Sequence, residues 1–236
     1  MRIDKLLSNM GYGSRKDVKK LLKSGTVKAN DEVIKDSKEH VDPVNDVVTV
    51  HGEVVEYKEF IYLMMNKPPG VISATEDNVE ETVIDLLEME HQIFNPFPVG
   101  RLDKDTEGLL LITNDGQLAH QLLSPKKHVS KTYYAVIEGE VTEADVKAFK
   151  RGVVLDDGYE TMPAELEIIK SGLRSEIEIT IVEGKFHQVK RMFEAVQKRV
   201  VYLQRLSMGP LNLDETLELG EYRELTDEEL DLLKGR

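Results

Sequence analysis

The stretch Gly100–Gly108, which reads GRLDKDTEG, places five charged side chains between two apolar segments. The charged residues are Arg101, Asp103, Lys104, Asp105 and Glu107. Phe97–Val99 before it and Leu109–Ile112 after it are apolar enough to be buried strands, which would fix the loop at the end of a core sheet. Rigidly held carboxylates at strand ends are common in active sites, although the same charges would also suit a solvated turn. We therefore treat this loop as the candidate chemical centre.

Composition limits the class of protein. The chain has 236 residues, 40% of them hydrophobic and 32% charged, which is typical of a soluble globular protein of one large or two small domains. No apolar run approaches the roughly 20 residues needed to cross a bilayer, and the opening MRIDKLLSNM lacks the apolar segment of a signal peptide. We therefore expect a cytoplasmic protein with no membrane partner.

The absence of cysteine excludes disulfides and thiolate catalysis. Six scattered histidines show no spacing typical of a zinc site, and no phosphate-binding or dinucleotide-binding glycine motif is present. We predict no metal and no cofactor.

The charge distribution is uneven. The formal net charge is −13, which on a uniform surface would repel nucleic acid. Residues 1–57, however, hold ten Lys/Arg and ten Asp/Glu, and acidic residues concentrate near the C-terminus. Basic residues cluster between positions 14 and 29 against the single acid Asp17. A local positive field can still bind phosphate.

The first 57 residues predict a small separate domain. Apolar residues at helical spacing predict a helix over Arg2–Met10, and Ser14 predicts the N-cap of a second helix that ends near Ser24-Gly25. On the second helix four lysines share one face, opposite Val18, Leu21 and Leu22. Those lysines are Lys16, Lys19, Lys20 and Lys23. Short strands are expected around Val27, Val33 and Val47-Val48, followed by a polar linker over Gly52–Glu59.

Residues 58–236 predict a second, α+β domain. Its expected elements include an apolar strand from Phe60 to Met65, a short helix from Thr82 to Met89 and a helix from His187 to Val196. The last helix carries a second group of basic residues together with the strand after it. The group contains Lys185, His187, Lys190, Arg191, Lys198, Arg199 and Arg205. Lys190 lies beside the apolar face of this helix, where it could pair with Asp103 or remain a loose surface lysine.

Four motifs, in order along the chain, carry a family resemblance. They are Asn66-Lys67-Pro68 with Gly70, the GRLD and DTEG of Gly100–Gly108, Lys131-Thr132-Tyr133, and EGKFHQVKRM from Glu183 to Met192. Together they resemble the RsuA/RluB/RluE/RluF family of ribosomal RNA pseudouridine synthases, and residues 1–57 resemble the alpha-L RNA-binding domain. The resemblance implies a catalytic domain built on a mixed, largely antiparallel sheet flanked by helices. One departure is Gln197, where the family usually has glycine.

The resemblance also implies residue roles. Asp103 would be the catalytic aspartate, Lys190 would keep it ionised in a secluded pocket, and Tyr133 would stack on the flipped uracil. Arg101 would fill the gap that the flipped base leaves, or hold phosphate. Further RNA-binding residues would be Lys16, Lys19, Lys20, Lys23, Lys67, Lys185, His187, Arg191 and Arg205. Attack on the ribose and attack on the ring both stay open.

The expected function is conversion of specific uridines in ribosomal RNA to pseudouridine, a reaction that needs no redox step and no cofactor. Small-subunit (16S) RNA is the first choice because MRIDKLL and HQVKRMF look more like RsuA. Large-subunit (23S) RNA, a non-catalytic ribosome-assembly factor and a hydrolase with paired carboxylates are the alternatives. The expected partner is ribosomal RNA or an assembling subunit, bound by a monomer.

Overall fold

The computed structural model describes residues 1–235, which form two compact units. The first unit contains Met1–Ile61 and Leu87–Pro96, and the second contains Tyr62–Leu86 and the chain from Phe97 onward. This division differs from the predicted boundary between residues 57 and 58 chiefly in the segment Leu87–Pro96. The side chain of Ile93 in that segment lies against Gly11 of the first unit. Within residues 1–235 no helix is both long and apolar enough to cross a membrane.

The first unit packs helices against a four-stranded antiparallel sheet with the order β2-β1-β3-β4. Its elements are α1 (Ile3–Asn9), α2 (Arg15–Lys23), β1 (Val27–Ala29), β2 (Glu32–Val33), β3 (Val48–Val50), β4 (Glu53–Val54) and α3 (Met89–Gln92). The predicted linker Gly52–Glu59 is wrong in its first part, because β4 and the buried Val55 belong to this small domain. The two predicted N-terminal helices and the short strands are confirmed.

Helix α2 is amphipathic, as predicted. The Ser14 hydroxyl accepts a hydrogen bond from the Asp17 backbone amide at 3.3 Å, which caps the helix. Val18 and Leu22 are buried in the core of the unit. The four lysines of the opposite face are all exposed: Lys16, Lys19, Lys20 and Lys23. This lysine face is therefore accessible to an anionic partner.

The second unit is built on a nine-stranded sheet with the main order β13-β5-β7-β11-β8-β10-β9. Its elements are β5 (Tyr62–Lys67), β6 (Phe97–Pro98), β7 (Glu107–Thr113), α4 (Gly116–Leu123), β8 (Lys131–Glu138), α5 (Glu143–Arg151), β9 (Glu165–Lys170), β10 (Arg174–Ile181), α6 (Gln188–Ala195), β11 (Arg199–Met208), β12 (Leu211–Asn212), β13 (Tyr222–Glu224) and α7 (Asp227–Lys234). Among the named strands of the described residues, only β7 and β11 pair in parallel. The prediction of a mixed, largely antiparallel sheet is confirmed.

Gly108 sets the approach of the two central strands at the end of the charged loop. It has φ +98° and is paired with Arg205 of β11, and a Cβ at this position would lie 2.3 Å from the Arg205 carbonyl oxygen. No side chain fits at that distance, and positive φ favours glycine. The glycine of the DTEG motif thus lets β7 and β11 pair directly after the loop.

The predicted helix from Thr82 to Met89 is wrong. The Thr82 hydroxyl and amide both donate to Asp85, as in a helix cap, but only a turn follows. Thr82 forms a bridge with Ile72, and the Val83 amide donates to the Ile72 carbonyl. Because these backbone groups are held by a neighbouring segment, the capping pattern does not continue into a helix. Helix α3 begins only at Met89.

Candidate active site

The charged loop between β6 and β7 is held by backbone contacts with the segment that follows β5. The Ser73 hydroxyl bonds both the amide and the carbonyl of Leu102, each at 3.1 Å. The Gly70 amide donates to the Lys104 carbonyl at 2.7 Å. These bonds fix the loop on both sides of Asp103, so its carboxylate has a defined position.

Lys67 is buried beneath this loop, and its prediction as an RNA-binding residue is wrong. The side chain is 0% exposed, and its Nζ donates to the carbonyls of Pro68 at 2.9 Å, Lys104 at 3.3 Å and Thr106 at 3.0 Å. Burial lowers the pKa of Lys67 to about 8, against the opposing influence of the nearby carboxylates, of which Asp105 is the strongest. Lys67 therefore acts on the loop from inside the fold and cannot reach RNA.

The pH dependence of stability should report the burial of Lys67. Its pKa is lower in the folded chain, about 8 against 10.5, so the unfolded chain binds more protons between these values. The contribution of Lys67 to the free energy of unfolding should thus rise from pH 8 to pH 10.5 and be lost as pH falls through 8. Urea unfolding at several pH values checks this. Lys67→Met should lose that rise, and an equal rise in both proteins would contradict the prediction.

Asp103 lies beside Lys190, as predicted. Lys190 Nζ is 3.1 Å from Asp103 Oδ2 and 2.6 Å from Asp105 Oδ1, so one ammonium bridges two carboxylates. The Asp103 side chain is 24% exposed and that of Lys190 19%, whereas Asp105 lies open at the rim. Interactions between such half-buried charges are stronger than between exposed ones.

The bridging ammonium remains protonated at neutral pH. Burial would lower the pKa of Lys190, but its hydrogen bonds to Asp105 and Asp103 raise it above the ordinary lysine value. Burial would likewise raise the pKa of Asp105, but the hydrogen bond and charge of Lys190 hold it below its ordinary value. The Lys190 ammonium and the Asp105 carboxylate therefore coexist as charged groups.

Helix α6 positions Lys190. Val189, Met192 and Phe193 are buried and anchor one face of the helix, which leaves Lys190 at the edge of that face. His187 precedes the helix with φ +48°, and its Nε2 is 3.5 Å from Asp103 Oδ1. The His187 ring stacks on the exposed ring of Phe186 at a centroid distance of 3.8 Å. His187, which was predicted to bind RNA, thus lies beside the Asp103 carboxylate.

Tyr133 completes the pocket from strand β8. It is 8% exposed and lines the pocket beside Asp103. The pocket brings together six of the predicted residues: Arg101, Asp103, Tyr133, Lys185, His187 and Lys190. Arg101 is exposed at its rim, where it is accessible to a ligand. These residues come from the charged loop, β8 and the segment that starts α6.

Two predicted RNA-binding residues lie elsewhere. Arg205 is 2% exposed and its Nε donates to the Leu109 carbonyl at 2.7 Å, so it supports the β7–β11 pair and its prediction is wrong. Arg191 is outside the pocket lining, and its guanidinium bridges Asp156 and Asp157. Hydrogen bonds to Asp157 and Asp156 raise its pKa. Arg191 is therefore committed to an intramolecular ion pair.

The sequence reasoning missed a basic turn between α4 and β8. Lys126, Lys127 and His128 are exposed there, and Lys131 follows at the start of β8. The run PKKHVSK within a domain of acidic composition was the available signal. In the described part of the chain, no group of three or more His, Asp or Glu side chains is placed to hold a metal ion.

Comparison with known proteins agrees with this geometry. A family model described as RNA pseudouridylate synthase matches residues 61–195, and an S4 domain model matches residues 1–48. The chain is 58% identical over 99% of its length to an uncharacterized RNA pseudouridine synthase, YtzG, of Bacillus subtilis, of which the match covers 98%. A crystal structure of a pseudouridylate synthase matches with a TM-score of 0.69 and 35% identity over 99% of each chain.

These matches show that the chain is an RNA-modifying isomerase, an enzyme that rearranges a nucleoside within RNA. More narrowly, the chain belongs to the RNA pseudouridylate synthase family and is of the RsuA/RluB type, with an S4 RNA-binding domain ahead of the catalytic domain. Relatives of both named kinds match. They include the ribosomal small subunit pseudouridine synthase A of Vibrio cholerae, 42% identical over 98% of each chain, and the ribosomal large subunit pseudouridine synthase B of Bacillus subtilis, 38% identical over 99% of this chain and 96% of that one.

Proposed function

We propose that this enzyme converts one or a few uridines of small-subunit ribosomal RNA to pseudouridine, with Asp103 as the nucleophile. The observation that carries the residue assignment is the Asp103 carboxylate, fixed by its loop 3.1 Å from Lys190 Nζ in the pocket that Tyr133 lines. A carboxylate must be ionised to attack, and a fixed ammonium offsets the cost of its partial burial. The resemblance of the GRLD motif supports the same assignment.

The reaction breaks the bond from ribose C1′ to uracil N1, turns the base and forms a bond from C1′ to C5. The C5 hydrogen leaves as a proton and N1 takes up a proton, so the product is an isomer of the substrate and no electrons enter or leave the system. Asp103 forms a covalent bond to the ribose or to the uracil ring, and this bond breaks again before pseudouridine leaves the site. Tyr133 stacks on the uracil and assists in removing the C5 proton, and Arg101 contacts the RNA from which the base is flipped.

The small subunit is proposed as the substrate on two grounds. Two relatives named small subunit pseudouridine synthase A, from Vibrio cholerae and Vibrio parahaemolyticus, are 42% and 41% identical, against 38% for the large-subunit enzyme of Bacillus subtilis. Two further small-subunit relatives, from Yersinia pestis and Salmonella typhimurium, are 38% and 37% identical. The segments MRIDKLL and HQVKRMF also resemble the small-subunit type. The difference in identity is small, so a direct comparison of the two RNAs decides.

Tritium release provides that comparison. Purified enzyme is incubated with 16S or 23S RNA labelled at C5 of uridine, either free or in partly assembled particles. Because bond formation at C5 expels the label, we expect release from small-subunit RNA and none from large-subunit RNA. Release from 23S RNA alone would overturn the choice of subunit. No release from either RNA or particle would overturn the assignment to ribosomal RNA.

The lysine face of α2 should contribute to docking rather than to chemistry. Changing Lys16, Lys19, Lys20 and Lys23 together to Gln should weaken RNA binding and reduce the slope of log affinity against log salt by up to about 3, since fewer counterions are released. The turnover rate at saturating RNA should stay within about twofold. Binding titrations at several salt concentrations check this. Lys147→Gln with Lys150→Gln, on the exposed face of α5, is the matched control. An unchanged slope in the fourfold variant would contradict the prediction.

A further inference from the structure

A second cavity, of about 380 Å³, adjoins the candidate active site. The two share Gly184 and Lys185 in their linings. The volume falls within the range of pockets that bind small organic groups. Apolar side chains from three segments form much of its wall: Leu123, Pro125, Met162 and Val182. None of the residues assigned to the reaction occupies this space, so it has no role in the chemistry described above.

Basic residues line this cavity and continue along the chain beside it. Lys131 lines it and is 9% exposed, and its Nζ donates to the Val129 carbonyl at 2.9 Å. An ammonium has three donors, so this bond leaves donor capacity for a ligand. His128 lines the cavity too, and the exposed Lys126 and Lys127 precede it on the same turn. Such a cluster of cations in an acidic domain favours a phosphate-bearing ligand.

The acidic residue in the cavity lining, Glu183, is hydrogen-bonded to neighbouring protein groups. The Glu183 carboxylate accepts hydrogen bonds from the Tyr159 hydroxyl at 2.5 Å, the Met162 amide at 2.8 Å and Gln188 Nε2 at 2.9 Å. Lys185 Nζ lies 4.4 Å above the Tyr159 ring. Glu183 therefore ties the cavity wall to the first residue of α6 instead of opposing an anionic ligand.

The two cavities are lined by neighbouring side chains on one face of strand β8. Lys131 and Tyr133 lie two residues apart on β8, so their side chains leave the same face of the strand about 7 Å apart. Tyr133 lines the pocket of Asp103, and Lys131 lines the second cavity. An RNA strand that delivers one base to Tyr133 can therefore deliver its neighbour to the cavity beside Lys131 without leaving the surface.

We propose that this cavity binds the base of the nucleotide next to the target uridine, with the adjoining phosphate held by Lys126 and Lys127. The inference rests on the proposed function, since it takes RNA as the ligand. Apolar walls suit the faces of an unstacked base, and the Lys131 ammonium supplies a donor to a ring or carbonyl acceptor on its edge. The cavity then contributes to choosing which uridine is modified.

The experiment compares RNA substrates that carry an abasic residue on either side of the mapped target uridine. For the parent enzyme, removal of the base that fills the cavity should raise the half-saturating RNA concentration about ten- to a hundredfold. The abasic residue on the other side should have a smaller effect. This measurement needs no variant and stands even where a substitution disturbs folding.

A cavity-filling variant then locates the effect. Met162→Trp should raise the half-saturating concentration of intact RNA by a similar factor, and it should be insensitive to the abasic residue to which the parent responds. Leu173→Trp, at a fully exposed turn outside the cavity, is the matched control and should behave like the parent. If the parent enzyme modified both abasic substrates as efficiently as intact RNA, the cavity proposal would be overturned and the proposed function would stand. The cavity proposal would also be overturned if Met162→Trp and the abasic residue raised the half-saturating RNA concentration by independent, multiplying factors. Absence of pseudouridine formation with intact RNA would instead overturn the proposed function.

Discussion

Asp103→Asn should lower the single-turnover rate of pseudouridine formation by about four orders of magnitude or more, because it removes the attacking carboxylate with almost no change in volume. Folding should be close to normal, since the loop is fixed by backbone bonds through Ser73, Gly70 and Lys67 that the substitution does not touch. RNA affinity should also stay near that of the parent. The measurement is tritium release from C5-labelled RNA under single-turnover conditions.

Asp105→Asn is the matched control for this loss. Asp105 binds the same lysine at 2.6 Å, but its side chain lies open at the rim and is not part of the pocket lining. Without the Asp105 charge, Lys190 should still pair with Asp103, so the single-turnover rate should fall by about tenfold at most. If Asp105→Asn were the inactive variant and Asp103→Asn the active one, the nucleophile would be Asp105.

Lys190→Met should produce the second largest loss, about a hundredfold or more in the single-turnover rate at pH 7. The substitution leaves a half-buried carboxylate without its cation, which favours the protonated, unreactive form of the acid. The rate of the variant should therefore rise as pH rises and recover part of the loss. Lys190→Arg should keep more activity because it preserves the charge while shifting the geometry.

Lys198→Met provides the control for removing a half-buried lysine. The Lys198 side chain is 17% exposed, close to the 19% of Lys190. Its Nζ lies 2.9 Å from Asp145 Oδ1, and neither residue lines the pocket. This variant should lose stability and keep the parent rate and pH profile. A Lys190→Met enzyme with the parent rate at pH 7 would show that the ammonium is not needed to keep the nucleophile ionised.

Local patterns predicted much of the fold. The cap at Ser14 could be predicted because the capping residue and its partner Asp17 lie three residues apart in sequence. The strands on both sides of the charged loop followed from short apolar runs. The Thr82 cap failed because a distant segment, Ile72, takes the backbone groups that a helix would need. The order of strands in the sheet was not predicted, since pairings such as β7 with β11 join residues almost a hundred positions apart.

The errors in the site have the same physical origin. Lys67 and Arg205 were assigned to RNA because both are cationic and lie in or near the motifs. Their partners are carbonyls of Thr106 and Leu109, distant in sequence, and such contacts leave no trace in composition. By contrast, helical spacing placed Lys190 beside the buried face of α6, and the family resemblance implied its pairing with Asp103.

Gln197 is the position at which this chain departs from the family pattern. The family usually has glycine there, and in this chain Gln197 adopts φ +60°, the conformation that glycine adopts most readily. A non-glycine residue thus holds the left-handed conformation after α6, at a cost of about 1 kcal/mol. The departure leaves Lys190 and the pocket lining in place.

The most direct test of the account is a map of pseudouridine in both ribosomal RNAs from a strain whose chromosomal gene carries Asp103→Asn. The map is compared with those of the parent and of an Asp105→Asn strain. We expect one or a few small-subunit uridines to stay unmodified in the Asp103→Asn strain alone, at normal levels of the protein. Identical maps in parent and Asp103→Asn strains would contradict the assignment of Asp103 as the nucleophile of an enzyme that modifies ribosomal RNA.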